Sequence, residues 1–106
     1  MALPKLGHLQ FVILGFLQDG TVCGKGLRAR LRSAGERRSG PSFYQIMARL
    51  EDGGLVEGEY RQEMAKGQLV RERCYSITAD GLRAWRASRD FYGKWITHFG
   101  DGIVPA

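Results

Sequence analysis

The chain has 106 residues, 43% of them hydrophobic and 25% charged, which is room for one compact domain with a modest core. That composition excludes wholesale disorder, and the length excludes a large cofactor fold paired with a separate substrate domain. Sixteen lysines and arginines against eleven acids give a net charge of +5, a balance that favours a polyanionic partner.

His8 to Gln18 is apolar nearly all round, so it reads as a helix buried on most sides and ended by Asp19-Gly20. Phe11 to Leu17 is its longest apolar run, far short of the roughly 20 residues of a membrane span, so no membrane partner is expected. Lys5 ahead of this run and Cys23 after it faintly resemble a lipoprotein leader. Val22 stands where such a leader wants a small residue, and Gln18-Asp19 interrupt the apolar stretch, so the chain reads as cytoplasmic. Cys23 and Cys74 belong to no C-x-x-C pair, and two free thiols in a reducing compartment are expected.

Gly24 to Ala34 reads as a second helix, with Leu27 and Leu31 facing inward and Gly35 stopping it. A polar, basic linker, Glu36 to Gly40, follows. Pro41 suits the first turn of a third helix, with Ser39 or Gly40 as N-cap. There Phe43, Ile46, Met47 and Leu50 repeat at helical spacing, and Gly53-Gly54 supply the stop.

The period then changes. Leu55–Gln62 and Leu69–Ile77 lean towards strands, joined by a hairpin loop at Met64-Ala65-Lys66-Gly67. Thr78 caps a long last helix, with Asp80 near its positive end and Gly93 as a possible break. The order is helix, helix, helix, strand, strand, helix. It predicts a mainly α fold with a small β-hairpin, a winged helix-turn-helix with a C-terminal dimerisation helix. The expected division is residues 1–78 for the winged domain, 79–100 for the last helix and 101–106 for a loosely ordered tail.

Charge is unevenly spread. Residues 24–49 carry seven basic residues and one acid, residues 50–64 carry five acids and one arginine, and residues 65–89 carry six basic residues and two acids. On a winged fold the third helix and the hairpin tip face the same way, so their shared surface is positive enough to sit on phosphates.

Leu6-x-x-Leu9-x-Phe11-Val12-Ile13-Leu14-Gly15-Phe16-Leu17 resembles the opening helix of the PadR-like winged-helix transcriptional regulators. Ser39-Gly40-Pro41-Ser42-Phe43-Tyr44, Arg49-Leu50-Glu51-x-x-Gly54-Leu55-Val56 and Arg73-x-Tyr75-x-Ile77-Thr78-x-x-Gly81 extend the resemblance, in the family's order, over about residues 6–86. It implies a homodimer on palindromic operator DNA, usually a repressor, sometimes relieved by a small aromatic or hydrophobic effector, with the last helix as the dimer contact. Cys23-Gly24-Lys25 departs from the family's His-Gly-Tyr, and Gln45 stands where it often has Pro. Both departures bear on the operator sequence more than on the fold.

The candidate DNA contacts follow from residue chemistry. Tyr44 can donate to a phosphate, Gln45 can pair bidentately with adenine, and Arg49 can reach guanine or phosphate. Ser42 is either a phosphate donor or a local cap, and Arg37 and Arg38 suit phosphates just before the recognition helix. Lys66 at the hairpin tip could touch backbone or minor groove. Arg71, nearer the tip than Arg73, is the wing's second candidate.

Trp85, Phe91, Tyr92, Trp95, Ile96 and Phe99 are more aromatic surface than one core-facing stripe needs, which predicts a partner copy and leaves room for an effector pocket. No metal site, cofactor or catalytic constellation is expected: His8 and His98 are far apart, and no Walker loop or nucleophile–base set occurs. The rival reading is a winged-helix protein-interaction adaptor that does not bind DNA.

Overall fold

The computed structural model describes residues 5–100. Its elements are α1 (His8–Phe16), β1 (Val22–Cys23), α2 (Gly24–Ser33), α3 (Gly40–Asp52), β2 (Val56–Ala65), β3 (Gln68–Ile77) and α4 (Ala79–Phe99). The helix ends follow end-group chemistry. Ser39 Oγ accepts the Ser42 amide at 3.2 Å ahead of Pro41. Thr78 Oγ1 accepts the Gly81 amide at 2.9 Å and donates to the Gly54 carbonyl at 2.7 Å, tying α4 to the end of α3. That end is a Schellman closure: Gly54 sits at φ 74°, its amide bonds to the Glu51 carbonyl, and Leu55 bonds back to Leu50, each at 2.9 Å. Helix α1 stops at Phe16 rather than Gln18, because the amides of Leu17 and Gln18 reach back three residues, at 3.2 and 3.4 Å, in a tightened last turn.

Two expectations need correction. The sheet has three strands, not two: β1 pairs antiparallel with β3, and β3 with β2, in the order β1-β3-β2. A two-residue strand has no periodicity to read, so β1 was invisible in the sequence. The second correction follows from the first. Register sets Cys23 directly opposite Cys74 with their Cα atoms 3.8 Å apart, and the two form a disulfide instead of remaining free thiols. They lie 51 positions apart in sequence, so only the sheet brings them together. The hairpin is also longer than expected. Ladder pairs run from Val56↔Ile77 to Ala65↔Gln68, and Lys66-Gly67 alone make the turn at φ 52° and 77°, the primed turn that matches strand twist.

The core is assembled where the helix stripes meet the wing base. Ile13, Leu14, Leu27, Leu31, Phe43, Met47, Leu50 and Tyr75 are at most 2% exposed. Ile46 and the outer α1 residues Phe11, Val12 and Phe16 are only half-buried, so α1 is less enclosed than its composition predicts. Helix α4 docks through its first turns. Gly81 and Ala84 are buried, a Cβ on Gly81 would strike the Leu55 carbonyl, and Trp85 stacks on Phe11 with ring centroids 5.4 Å apart. The helix continues through Gly93, around which a side chain would meet nothing within 4 Å. The expected tail, residues 101–106, lies outside the described residues. Among the described residues no helix is long and apolar enough to cross a membrane.

Candidate nucleic-acid interface

The helical repeat of α3 buries Phe43, Met47 and Leu50, and thereby turns Tyr44, Gln45, Ala48 and Arg49 outward. Tyr44 keeps 40% of its surface exposed while its ring edge rests on Phe43 at 4.9 Å. Its hydroxyl lies over Gly24 at the start of α2, where a Cβ would come within 2.5 Å of it. Gly24 therefore lets the two helices of the helix-turn-helix close on this phenol.

The wing is latched to α3 by a pair of charges. Arg73 Nε and Nη2 donate to the two carboxylate oxygens of Glu51 at 3.0 and 2.9 Å, a bidentate fork in a half-buried setting. The hydrogen bonds that Arg73 donates to Glu51 hold its pKa above its ordinary value. Gly58 makes the approach possible, because a Cβ there would collide with both the Glu51 carboxylate and the Arg73 guanidinium. Tyr60 lies beneath two guanidinium groups, Arg71 at 4.0 Å and Arg73 at 4.7 Å from its ring centre. Glu72 Oε1 accepts the Lys25 amide at 2.9 Å and so caps the exposed start of α2 from the wing. Between α3 and the wing runs a groove of about 520 Å³, walled by Tyr44, Tyr60, Arg71 and Arg73, with Tyr75 at its inner end. Burial pushes the Tyr75 phenol up to about 12, helped by the nearby Glu51 carboxylate, so it is a neutral group at ordinary pH.

The candidate residues divide by position. Tyr44 and Arg71 line the groove, with Gln45 and Arg49 on the exposed face of the same helix. Arg37 and Arg38 are exposed in the segment leading into α3. Lys66 sits at the exposed hairpin turn, about 30 Å along the strands from the wing base. Ser42 is half-buried, and the local cap is the side chain of Ser39, bonded to the Ser42 amide. Among the described residues, Arg37, Arg38, Arg49, Lys66 and Arg71 form no ion pair. Of the acids that line the groove, Glu51 is held by Arg73 and Glu72 accepts a backbone amide.

Sequence reasoning missed Glu51, Tyr60, Lys25 and the role of Arg73, because each depends on strand register. One signal was available: Gly58 in the middle of a strand marks a close approach. Cys23, Glu72 and Cys74 bring donor atoms within 4.8 Å of one another, but the joined sulfurs offer no thiolate to a cation.

The far half of α4 presents Phe91, Tyr92, Trp95, Ile96 and Phe99, 40 to 68% exposed. Trp85 differs from them. It packs on α1, and its indole Nε1 is buried without a hydrogen-bond partner.

Three helices, a two-stranded wing and a short third strand closing the sheet define a winged-helix fold. Solved structures of the same fold carry it further. The chain is similar to a PadR family transcriptional regulator of Eggerthella lenta at 24% identity and TM-score 0.69, over 88% of this chain and 79% of that one. It is similar to a PadR-like transcriptional regulator of Bacillus cereus at 23% identity and TM-score 0.74, over 92% and 93%. Bacillus subtilis PadR in complex with operator DNA is matched at 20% identity and TM-score 0.61, over 74% of this chain and 46% of that one. No family model matches the sequence, and neither does any curated protein. The likeness establishes the fold, which is that of the PadR-family regulators.

Proposed function

We propose that the chain is a sequence-specific, dimeric DNA-binding transcriptional regulator of the PadR type, acting as a repressor in the cytoplasm. The observation that carries the reading is the exposed face of α3: Tyr44, Gln45 and Arg49 face solvent, beside Arg37, Arg38 and Arg71, which form no ion pair among the described residues. Helix α3 enters the major groove, Gln45 and Arg49 meet base edges, and Tyr44, Arg37, Arg38 and Arg71 meet phosphates. Lys66 follows the neighbouring backbone or minor groove. That Bacillus subtilis PadR, of the same fold, was solved in complex with operator DNA supports DNA binding by this chain.

The apolar far half of α4 is the dimer contact, burying Phe91, Tyr92, Trp95, Ile96 and Phe99 against a second copy. A two-fold dimer reads two half-sites about one helical turn apart. A planar apolar effector bound near Trp95 would report itself by quenching indole fluorescence.

Selection of bound duplexes from a random DNA pool tests the function. A palindromic consensus is the expected result, and Tyr44→Ala, Arg49→Ala and Lys66→Ala should each bind it more weakly while remaining folded. A stable monomer that enriches no sequence would favour the adaptor reading instead.

A further inference from the structure

A protein that works on DNA in a reducing compartment does not keep an ordinary structural disulfide, since such bonds there are transient or redox-sensing. Yet the one cystine among the described residues joins the base of the wing to the first helix of the helix-turn-helix, beside the α3 groove. We infer that Cys23 and Cys74 are a reversible oxidation site, reduced by cellular thiols, whose state sets how firmly the wing is held against α2 and α3.

Three observations converge on this pair. Cys23 is the N-cap residue of α2, followed at once by the Gly24 on which the Tyr44 hydroxyl rests. Cys74 follows Arg73, which binds Glu51 of α3, and lies two residues after Glu72, which caps the Lys25 amide. The covalent link therefore lies among the contacts that fix the wing to both helices. The two sulfurs are also unequal: Cys23 is half-buried and Cys74 fully buried, which gives an incoming thiolate one sulfur to attack.

The exchange balances. A thiolate attacks Cys23 Sγ, the new bond forms there, and Cys74 leaves as a thiolate that takes up a proton. A second thiol then attacks the reductant's sulfur in the mixed disulfide and frees the Cys23 thiol. Two electrons and two protons pass to the protein, and two reductant thiols become one disulfide.

The effect on affinity and the reducing surroundings both rest on the function and location proposed above, whereas the exchange chemistry itself does not. The test uses the full chain equilibrated in glutathione buffers of graded ratio, with alkylation and intact mass to count thiols. Hydrogen exchange at Lys25 and residues 71–76 is followed alongside titration of the selected duplex. Reduction should add two alkyl groups together, speed exchange at those amides, and weaken DNA binding about tenfold through lost preorganisation. The double variant Cys23→Ser/Cys74→Ser should bind as the reduced protein does at every ratio. Equal affinity and equal exchange in both states would overturn the inference, as would cysteines that stay unpaired under oxidised glutathione. If neither state binds DNA, the proposed function fails, and the exchange measurement alone decides whether the pair governs the wing.

Discussion

Tyr44, Gln45 and Arg49 were legible as an outward face because helical period alone places them opposite Phe43, Met47 and Leu50. The Glu51–Arg73 fork was not, since it needs α3 and β3 at a particular register, and residues 22 positions apart in sequence announce no such meeting. The fork gives a sharp mutational contrast. Gly58→Ala puts a methyl where both charged groups lie, so it should cost about 1–3 kcal/mol of overpacking in urea denaturation. Arg73→Met should cost more than Arg71→Met, because Arg73 leaves a half-buried carboxylate behind and Arg71 leaves only an exposed ring. Tyr75 supplies a pH signature. Its phenol is raised to about 12 in the fold, above its unfolded value, so the folded protein holds the proton that the unfolded chain gives up. Stability should be unaffected by this group below pH 10 and should fall by roughly 1–3 kcal/mol between pH 10 and 12. Tyr75→Phe should flatten that decline in a denaturation series.

The four helices and the hairpin were readable from period, caps and stops, and the corrections fall on elements that carry no period. Strand β1 is too short to show one, and its pairing is what brings Cys23 to Cys74. Closing a loop of that length restricts the unfolded chain by about 4 kcal/mol in the entropic account. Reduction should accordingly lower the unfolding midpoint, and the Cys23→Ser/Cys74→Ser variant should sit at the reduced value in both buffers. Helix α4 divides at its middle: the half carrying Gly81, Ala84 and Trp85 belongs to the protomer's core, and in the half carrying Phe91 to Phe99, Tyr92 still meets the Phe11 ring edge-on at 5.7 Å while Phe91, Trp95, Ile96 and Phe99 stay exposed. Nothing in the spacing of the aromatics sets Trp85 apart from its neighbours, because its burial depends on how closely α1 packs on the first turns of α4. Sedimentation equilibrium should find a dimer, and Ile96→Glu with Phe99→Glu should yield monomers that stay folded, because neither side chain packs on the protomer's core, with an unfolding midpoint that is lower and no longer depends on protein concentration.

At the scale of the whole molecule the decisive pattern is how the acids are used. The chain carries eleven acids against sixteen basic residues, but the two that line the groove, Glu51 and Glu72, are engaged locally. The cations of α3, its leading segment and the wing are left facing solvent. Such a surface binds DNA through displaced counterions, an effect that scales with the number of phosphates met. The most direct measurement is the affinity of the selected duplex between 50 and 200 mM salt. If a dimer meets four or more phosphates, log K should fall against log salt with a slope of about −3.6 or steeper, and Lys66→Ala should make it shallower by about 1 to 2. A slope near zero would mean that the exposed cations of α3 and the wing do not sit on a phosphate backbone.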